Sequence, residues 1–260
     1  MSRPVLLMTL RQRWLATLLS GLAVVLVVLM TGALFPSLGD AIGKLELPEG
    51  VSELLGGADY GSLTGWMRTE VGAVYGPLVI AAAAITGISS QLAGEEESGI
   101  LGLLLAHPVS RRSLLLAKAA GVAISVVAIA IMTWLGLIAG VAIAGGGIGV
   151  GKLAALAAHL ALFGLACGAL ALAIAAGTGR RAVANAVAAG IAVLGYLLNG
   201  FAPLVSGLDW TKYLTFFYYY TDGDPLSTGV DLAHLAILAA AAVALTVVSV
   251  VLFRDRDLRA

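Results

Sequence analysis

Long apolar runs and short polar breaks alternate along the whole chain. Six runs stay apolar for the roughly 20 residues that a helix needs to cross a bilayer. They are Trp14–Phe35, Val71–Ala93, Leu114–Ala144, Leu153–Ala176, Ala182–Leu204 and Leu232–Phe253. The pattern predicts an all-α integral membrane protein with six transmembrane helices, residues 1–260 forming one six-span domain. The third run is long enough to tilt, or to break near its glycine-rich end. The first exceeds the roughly 7–15 apolar residues of a signal peptide and no A-x-A site follows it, so it reads as a retained span. Ahead of it, residues 5–14 carry apolar and basic faces suited to a helix lying along the inner surface. Leu45–Leu55, in the first outer loop, has the spacing of a short interfacial helix.

Composition agrees with this pattern. Hydrophobic residues make up 60% and charged residues 12%, against roughly 25% charged in a soluble domain. Mean hydropathy is +1.01. The formal net charge is zero, which leaves no basic excess for nucleic acid. Sorted by side, the same charges are informative. With the N-terminus inside, the cytoplasmic segments hold eleven Lys/Arg and five Asp/Glu, a net +6, and the outer segments hold four and ten, a net −6. The positive-inside rule then puts both termini in the cytoplasm and the chain in the cell (inner or plasma) membrane as a multi-pass protein. Cys167 is the only cysteine. It excludes an intrachain disulfide and any multi-cysteine metal site, and reads as a small buried hydrophobe.

No acid falls inside a predicted span. Carriers driven by protons or sodium usually bury carboxylates near the midplane, so an ion-coupled carrier is disfavoured. The polar span residues are chiefly Gln91, His159, Asn185, Asn199 and His234. His159 reads as a packing or helix–helix hydrogen-bonding group in preference to a proton relay, and His234 as interfacial. Lys118, one turn from the inner surface, is expected to snorkel there. Gly136/Gly140 and Gly164/Gly168 have the GxxxG spacing that lets helices approach closely. Gly76-Pro77 frees a backbone carbonyl and predicts a kink, with a gating hinge as the sharper reading. Trp210, Tyr213, Phe216, Phe217 and Tyr218–Tyr220 predict an interfacial aromatic belt, with an outer gate as the alternative. Gly146–Lys152 fits half of a phosphate-binding loop. Leu153 stands where that loop needs Ser or Thr, and the segment is an outer turn. The chain is therefore expected to be no enzyme, with no catalytic, cofactor or metal site of its own.

The most informative stretch is Gln91–Lys118, QLAGEEESGILGLLLAHPVSRRSLLLAK. Three consecutive glutamates, Glu95, Glu96 and Glu97, interrupt a basic side. They precede an apolar run, Ile100–Ala106, too short to cross a bilayer. His107-Pro108 stops it, Ser110 can cap the next helix, and Arg111 and Arg112 anchor that helix at the inner surface. Five of the six residues from Ile100 to Leu105 are Ile or Leu, more than a solvated turn tolerates. The segment reads as a short surface helix that needs the membrane surface or a partner.

This stretch resembles the loop between spans two and three of the ABC type-2 permeases, the membrane subunits of one class of ATP-binding-cassette transporters, mostly exporters. Their common form is E-x-x-x-G-T-L-x-x-L-L-x-x-P-V-S-R-x-x-x-x-x-x-K. Glu95–Glu97 and Gly99 supply its start, Ile100 stands where Thr is common, and Leu104, Pro108, Val109, Ser110, Arg111 and Lys118 fit the rest. The ending Phe253-Arg254-Asp255-Arg256-Asp257-Leu258 is close to the family's F-x-R-R-D-L, and Leu214–Leu226 looks like its final outer loop. The resemblance implies that the loop is a coupling helix docking on a cytosolic ATPase subunit. Two copies of that subunit, holding ATP and magnesium, would work with a second permease copy or a sister permease. It implies a docking segment of Glu95, Glu96, Glu97, Gly99, Ile100, Leu103, Leu104, His107, Pro108, Arg111 and Arg112; Gly76 and Pro77 are the candidate hinge read from the Gly-Pro pair itself. Export or efflux of a hydrophobic or amphipathic solute is the expected activity. A module that transmits ATPase-driven motion to an outer or membrane partner is the alternative.

Overall fold

A computed structural model describes residues 2–42 and 60–256, without the side chains of Asp40, Ile42 and Asp255. The expected Leu45–Leu55 helix lies outside the described residues, as do Asp257 and Leu258. Each predicted run becomes a helix: α1 (Arg3–Ile42), α2 (Leu63–Glu97), α4 (Arg111–Ile143), α5 (Val150–Thr178), α6 (Arg181–Phe201) and α9 (Leu232–Asp255). Between α2 and α4 lies the short α3 (Ile100–Leu105). Between α6 and α9 lie two more short helices, α7 (Phe216–Thr221) and α8 (Pro225–Thr228). No strand occurs among the described residues.

The helix α5 is the centre of the bundle. It packs on α2, α4, α6 and α9 along its length and on α7 and α8 near its start. Ala and Gly supply most of its buried positions, so its neighbours come close on every side. Gly164 and Gly168 face Ile80 and Ala84 of α2. Gly136 and Gly140 of α4 face Val25 and Val28 of α1. Both GxxxG pairs are thus spent on contacts within the chain. The tightest backbone approach between two helices joins α1 and α4, where a Cβ added to Gly32 would sit 2.2 Å from the carbonyl oxygen of Gly140.

The N-terminal segment departs from expectation. Residues 5–14 do not turn aside along a surface; they are the first turns of α1, which runs unbroken for 40 residues. At about 1.5 Å per residue that is about 60 Å, twice a hydrocarbon core. Pro4, tolerated in a first turn, is the only helix breaker before Pro36. A single narrow stripe, Val5, Thr9, Arg13, Val24 and Val28, is buried. Continuing the helix keeps that stripe in contact: Thr9 abuts Gly121 of α4 and Arg13 Nη2 donates to the Ala83 carbonyl of α2 at 3.1 Å. The third run does not break either, since α4 is continuous to Ile143.

The chain ends of α1 and α9, the α2–α4 connection and the α5–α6 turn gather at one end of the bundle, the end that carries the basic excess. At the opposite end, Trp66 Nε1 donates to the Thr31 carbonyl at 3.0 Å. There too Asp231 caps α9, its Oδ1 accepting from the backbone N–H of Ala233 at 2.9 Å and of His234 at 3.1 Å. Glu70, flanking span two in the sequence, lies inside the longer α2.

Two outcomes follow from these contacts. Gly140→Val should lower the thermal midpoint of the purified protein, overpacking of this kind costing about 1–3 kcal/mol. Gly151→Ala, with nothing within 4 Å of the added carbon, should leave it unchanged. The His234 N–H, then the His234 ring, the Ala233 N–H and the His159 ring, hold the Asp231 carboxyl below its ordinary value against the opposing effect of burial. A depressed carboxyl contributes stability above its unfolded value, about 3.9, and loses it as pH falls through the folded value. Thermal melts should therefore show no loss of this cap between pH 7 and 5, whereas Asp231→Ala should cost about 1 kcal/mol throughout that range.

Candidate functional site

The α2–α4 connection is built from its backbone outward. The last turns of α2 widen into a π-helix over Ser90–Gly94 before Glu95–Glu97 close the helix. Gly99 then turns the chain at φ 75°, a left-handed conformation suited to glycine. The next six residues form α3. The His107 ring donates from Nδ1 to the Leu103 carbonyl at 3.2 Å, closing its end. Ser110 caps α4 as expected, its Oγ accepting from the Ser113 N–H at 3.3 Å.

The three glutamates do not share one outward face. Glu95 and Glu96 are buried, and Glu97 is exposed. Glu95 Oε2 meets Lys118 Nζ at 2.6 Å, and Lys118 is completely buried. The expectation that Lys118 snorkels to the surface is therefore wrong. Its ammonium lies seven residues into α4, and the carboxylate at the end of α2 is a nearer partner than water. Glu96 pairs with Arg256 at the end of α9. Glu97 Oε1 accepts from the Arg181 N–H at 2.8 Å, placing negative charge at the start of α6. Arg111 completes the set, donating from Nη1 to the Arg256 carbonyl at 2.5 Å and more weakly to that of Arg254 at 3.4 Å. One short stretch is thus fastened to α4, α6 and α9 together.

The other predicted docking residues divide cleanly. Leu101, fully buried, roots α3 in the core, and Leu104, Leu105 and Val109 pack partly against it. Ile100 and Leu103 fall on one face of α3 at i and i+3 and are exposed, Leu103 by 71%, and His107, in the turn that follows the helix, is exposed too. Pro108 and Arg112 are exposed beside them, and Arg111 is half-buried in its contacts with α9. Arg181 and Arg256, which hold two of the glutamates, were not singled out by sequence. The ending that contains Arg256 was visible as a motif, but its partner lies 160 positions away.

At the other end of α2, Gly76 and Pro77 follow a π-helix over Arg68–Tyr75, and Pro77 sits in the first turn of the α-helical stretch after it. This stretch and α6 border an apolar groove of about 350 Å³, lined by Pro77, Ile85, Val193, Tyr196 and Phe217, with Asn185 at one polar point. Asn185 Oδ1 also accepts from Ser89 Oγ at 2.5 Å, tying α6 to α2. The aromatic cluster is only in part a belt. Trp210 and Tyr213 are exposed, but Phe217 and Tyr220 are buried and stack on Phe163 of α5 at 5.2 and 5.1 Å. The reason is local: Thr215 caps α7, its Oγ1 accepting from the Tyr218 N–H at 3.2 Å. The short helix then turns one side of the aromatic run inward.

The buried pair makes a specific prediction. Lys118→Met alone should destabilise the protein by about 3–5 kcal/mol, because it strands the Glu95 carboxylate away from water. Adding Glu95→Leu should restore most of that loss. Thermal unfolding of the two variants, side by side, reads both effects.

Comparison with known proteins adds a family. No curated protein matches the chain. The model of the ABC-2 family transporter proteins matches residues 6–258, a range that takes in all six long helices and the α2–α4 connection. The chain is a multi-pass membrane protein of the permease type, and it belongs to the ABC-2 family of transporter proteins.

Proposed function

We propose that this chain is the membrane subunit of an exporter powered by a separate cytosolic ATPase, and that the ATPase docks on the exposed face of α3. The observation that carries this reading is the contrast within one segment. Ile100 and Leu103 face outward from α3 and His107 is exposed in the turn after it, while Glu95, Glu96 and Glu97 fasten the neighbouring stretch to α4, α9 and α6. A docking helix needs both properties: an apolar surface for a partner groove, and a stiff connection that carries the partner's movement into several spans at once. In this reading the glutamates are braces, and the contact surface is Ile100, Leu103, His107 and Pro108.

The charge asymmetry supports placing this end, and both chain termini, in the cytoplasm. The groove between α2 and α6 supports a hydrophobic or amphipathic substrate, since its lining is almost wholly apolar. ATP and magnesium belong to the partner subunit, two copies of which would work with two permease units.

Leu103→Glu places a charge on the contact face without touching the braces. It should abolish co-purification with the ATPase encoded beside this chain and stop ATP-driven transport, while the thermal midpoint of the permease stays as in wild type. Retention of both ATPase and transport by Leu103→Glu would contradict the assignment.

A further inference from the structure

In α2, the π-helical stretch Arg68–Tyr75 creates an accounting problem for one carbonyl. The Gly76 N–H reaches back five residues to the Val71 carbonyl, so it does not serve Gly72, its usual partner in an α-helix. The next residue that could serve Gly72 in the wider register is Pro77, which has no N–H. In hydrocarbon such a carbonyl must be satisfied by protein. The Tyr220 hydroxyl does this. It donates to the Gly72 oxygen at 2.6 Å, across 148 positions of sequence, from a side chain that is 1% exposed.

A second contact repeats the first one turn away. Arg68 Nη1 meets Asp224 Oδ2 at 3.0 Å. Arg68 and Gly72 are four residues apart in α2, and Tyr220 and Asp224 are four apart in the α7–α8 segment. Asp224 takes a left-handed backbone conformation, φ 42°, between α7 and α8. Among the described non-glycine residues it alone has positive φ. The rings of Phe163 and Phe217, 5.1 and 5.7 Å from that of Tyr220, fix where its hydroxyl points.

We propose that the Tyr220–Gly72 hydrogen bond, seconded by Asp224–Arg68, is a latch that ties the outer α7–α8 segment to the π-helical stretch of α2. Movement entering α2 from the α3 end reaches the outer mouth through this latch. Tyr220 is accordingly a positioning residue for transport. This inference rests on the docking reading above for the source of the movement, and on the backbone accounting alone for the existence of the latch.

The test uses the permease–ATPase complex in proteoliposomes with single fluorescent labels on introduced thiols. Leu214→Cys reports the outer segment and Arg180→Cys the α3 end; the native Cys167 is buried and does not compete. Trapping wild type with ATP and vanadate should shift the signal at both positions. With Tyr220→Phe, which keeps the ring and removes the hydroxyl, the Arg180 signal should shift as before and the Leu214 shift should be largely lost. An unchanged Leu214 shift overturns the latch. A purely structural role for the hydroxyl would not separate the two labels. A second measurement needs no ATPase. Tyr220→Phe should lower the thermal midpoint of the purified permease, and Pro77→Ala, by supplying the missing N–H, should recover much of that loss. No loss, or no recovery, overturns the latch. If neither label moves in wild type, the docking reading fails and this double-mutant comparison alone decides the latch.

Discussion

A carbonyl or a carboxylate inside hydrocarbon has no water to turn to, so its partner must come from the chain itself. The two most informative places in this protein follow from that requirement. At the end of α2 remote from α3, the π-helical stretch and Pro77 deprive the Gly72 carbonyl of the Gly76 and residue-77 donors, and Tyr220 supplies one from a different part of the chain. At the other end, Glu95 and Glu96 come to rest away from solvent, and Lys118 and Arg256 meet them there. Both ends of one helix are therefore joined to remote segments by contacts that are costly to lose.

In the proposed mechanism these contacts let α2 serve as a connecting rod. Its lower end is fastened through Glu95, Glu96 and Glu97 to α4, α9 and α6, and the exposed side of α3 stands on the same turn. Its upper end is fastened to the α7–α8 segment. The stretch between, Gly76–Ser89, is a regular α-helix packed on the Gly- and Ala-rich centre of α5. A π-helical stretch stands at each end of it, where the backbone already departs from regular geometry. Stiffness in the middle and irregularity at the ends is the arrangement expected of an element that transmits movement.

The spans were legible in the sequence because a run of apolar residues must cross the membrane whatever its neighbours are. The Ser110 cap was legible for a similar reason, since its signal is contained in four consecutive residues. The short helix α3 was legible from the apolar run Ile100–Ala106, too short to cross a bilayer and stopped by His107-Pro108. What sequence concealed was pairing. Glu95 and Lys118 both stood in the recognised motif, yet nothing in their spacing of 23 shows that one neutralises the other. Arg256 and Tyr220 act on partners 160 and 148 positions away. The aromatic run read as a uniform belt because every residue in it suits an interface. Only the capped turn at Thr215 divides it into exposed and buried sides. The start of α1 misled for the opposite reason: its apolar and basic faces fit a surface helix, but nothing between Pro4 and Trp14 bends the chain.

The central claim is that the partner contact lies on α3 while the glutamates remain internal. Hydrogen–deuterium exchange of the permease, alone and bound to its ATPase, tests this most directly. The account predicts new protection confined to peptides covering residues 98–108, with α4 around Lys118 equally protected in both states. Protection that leaves residues 98–108 unchanged and appears at the α4–α5 turn would contradict it.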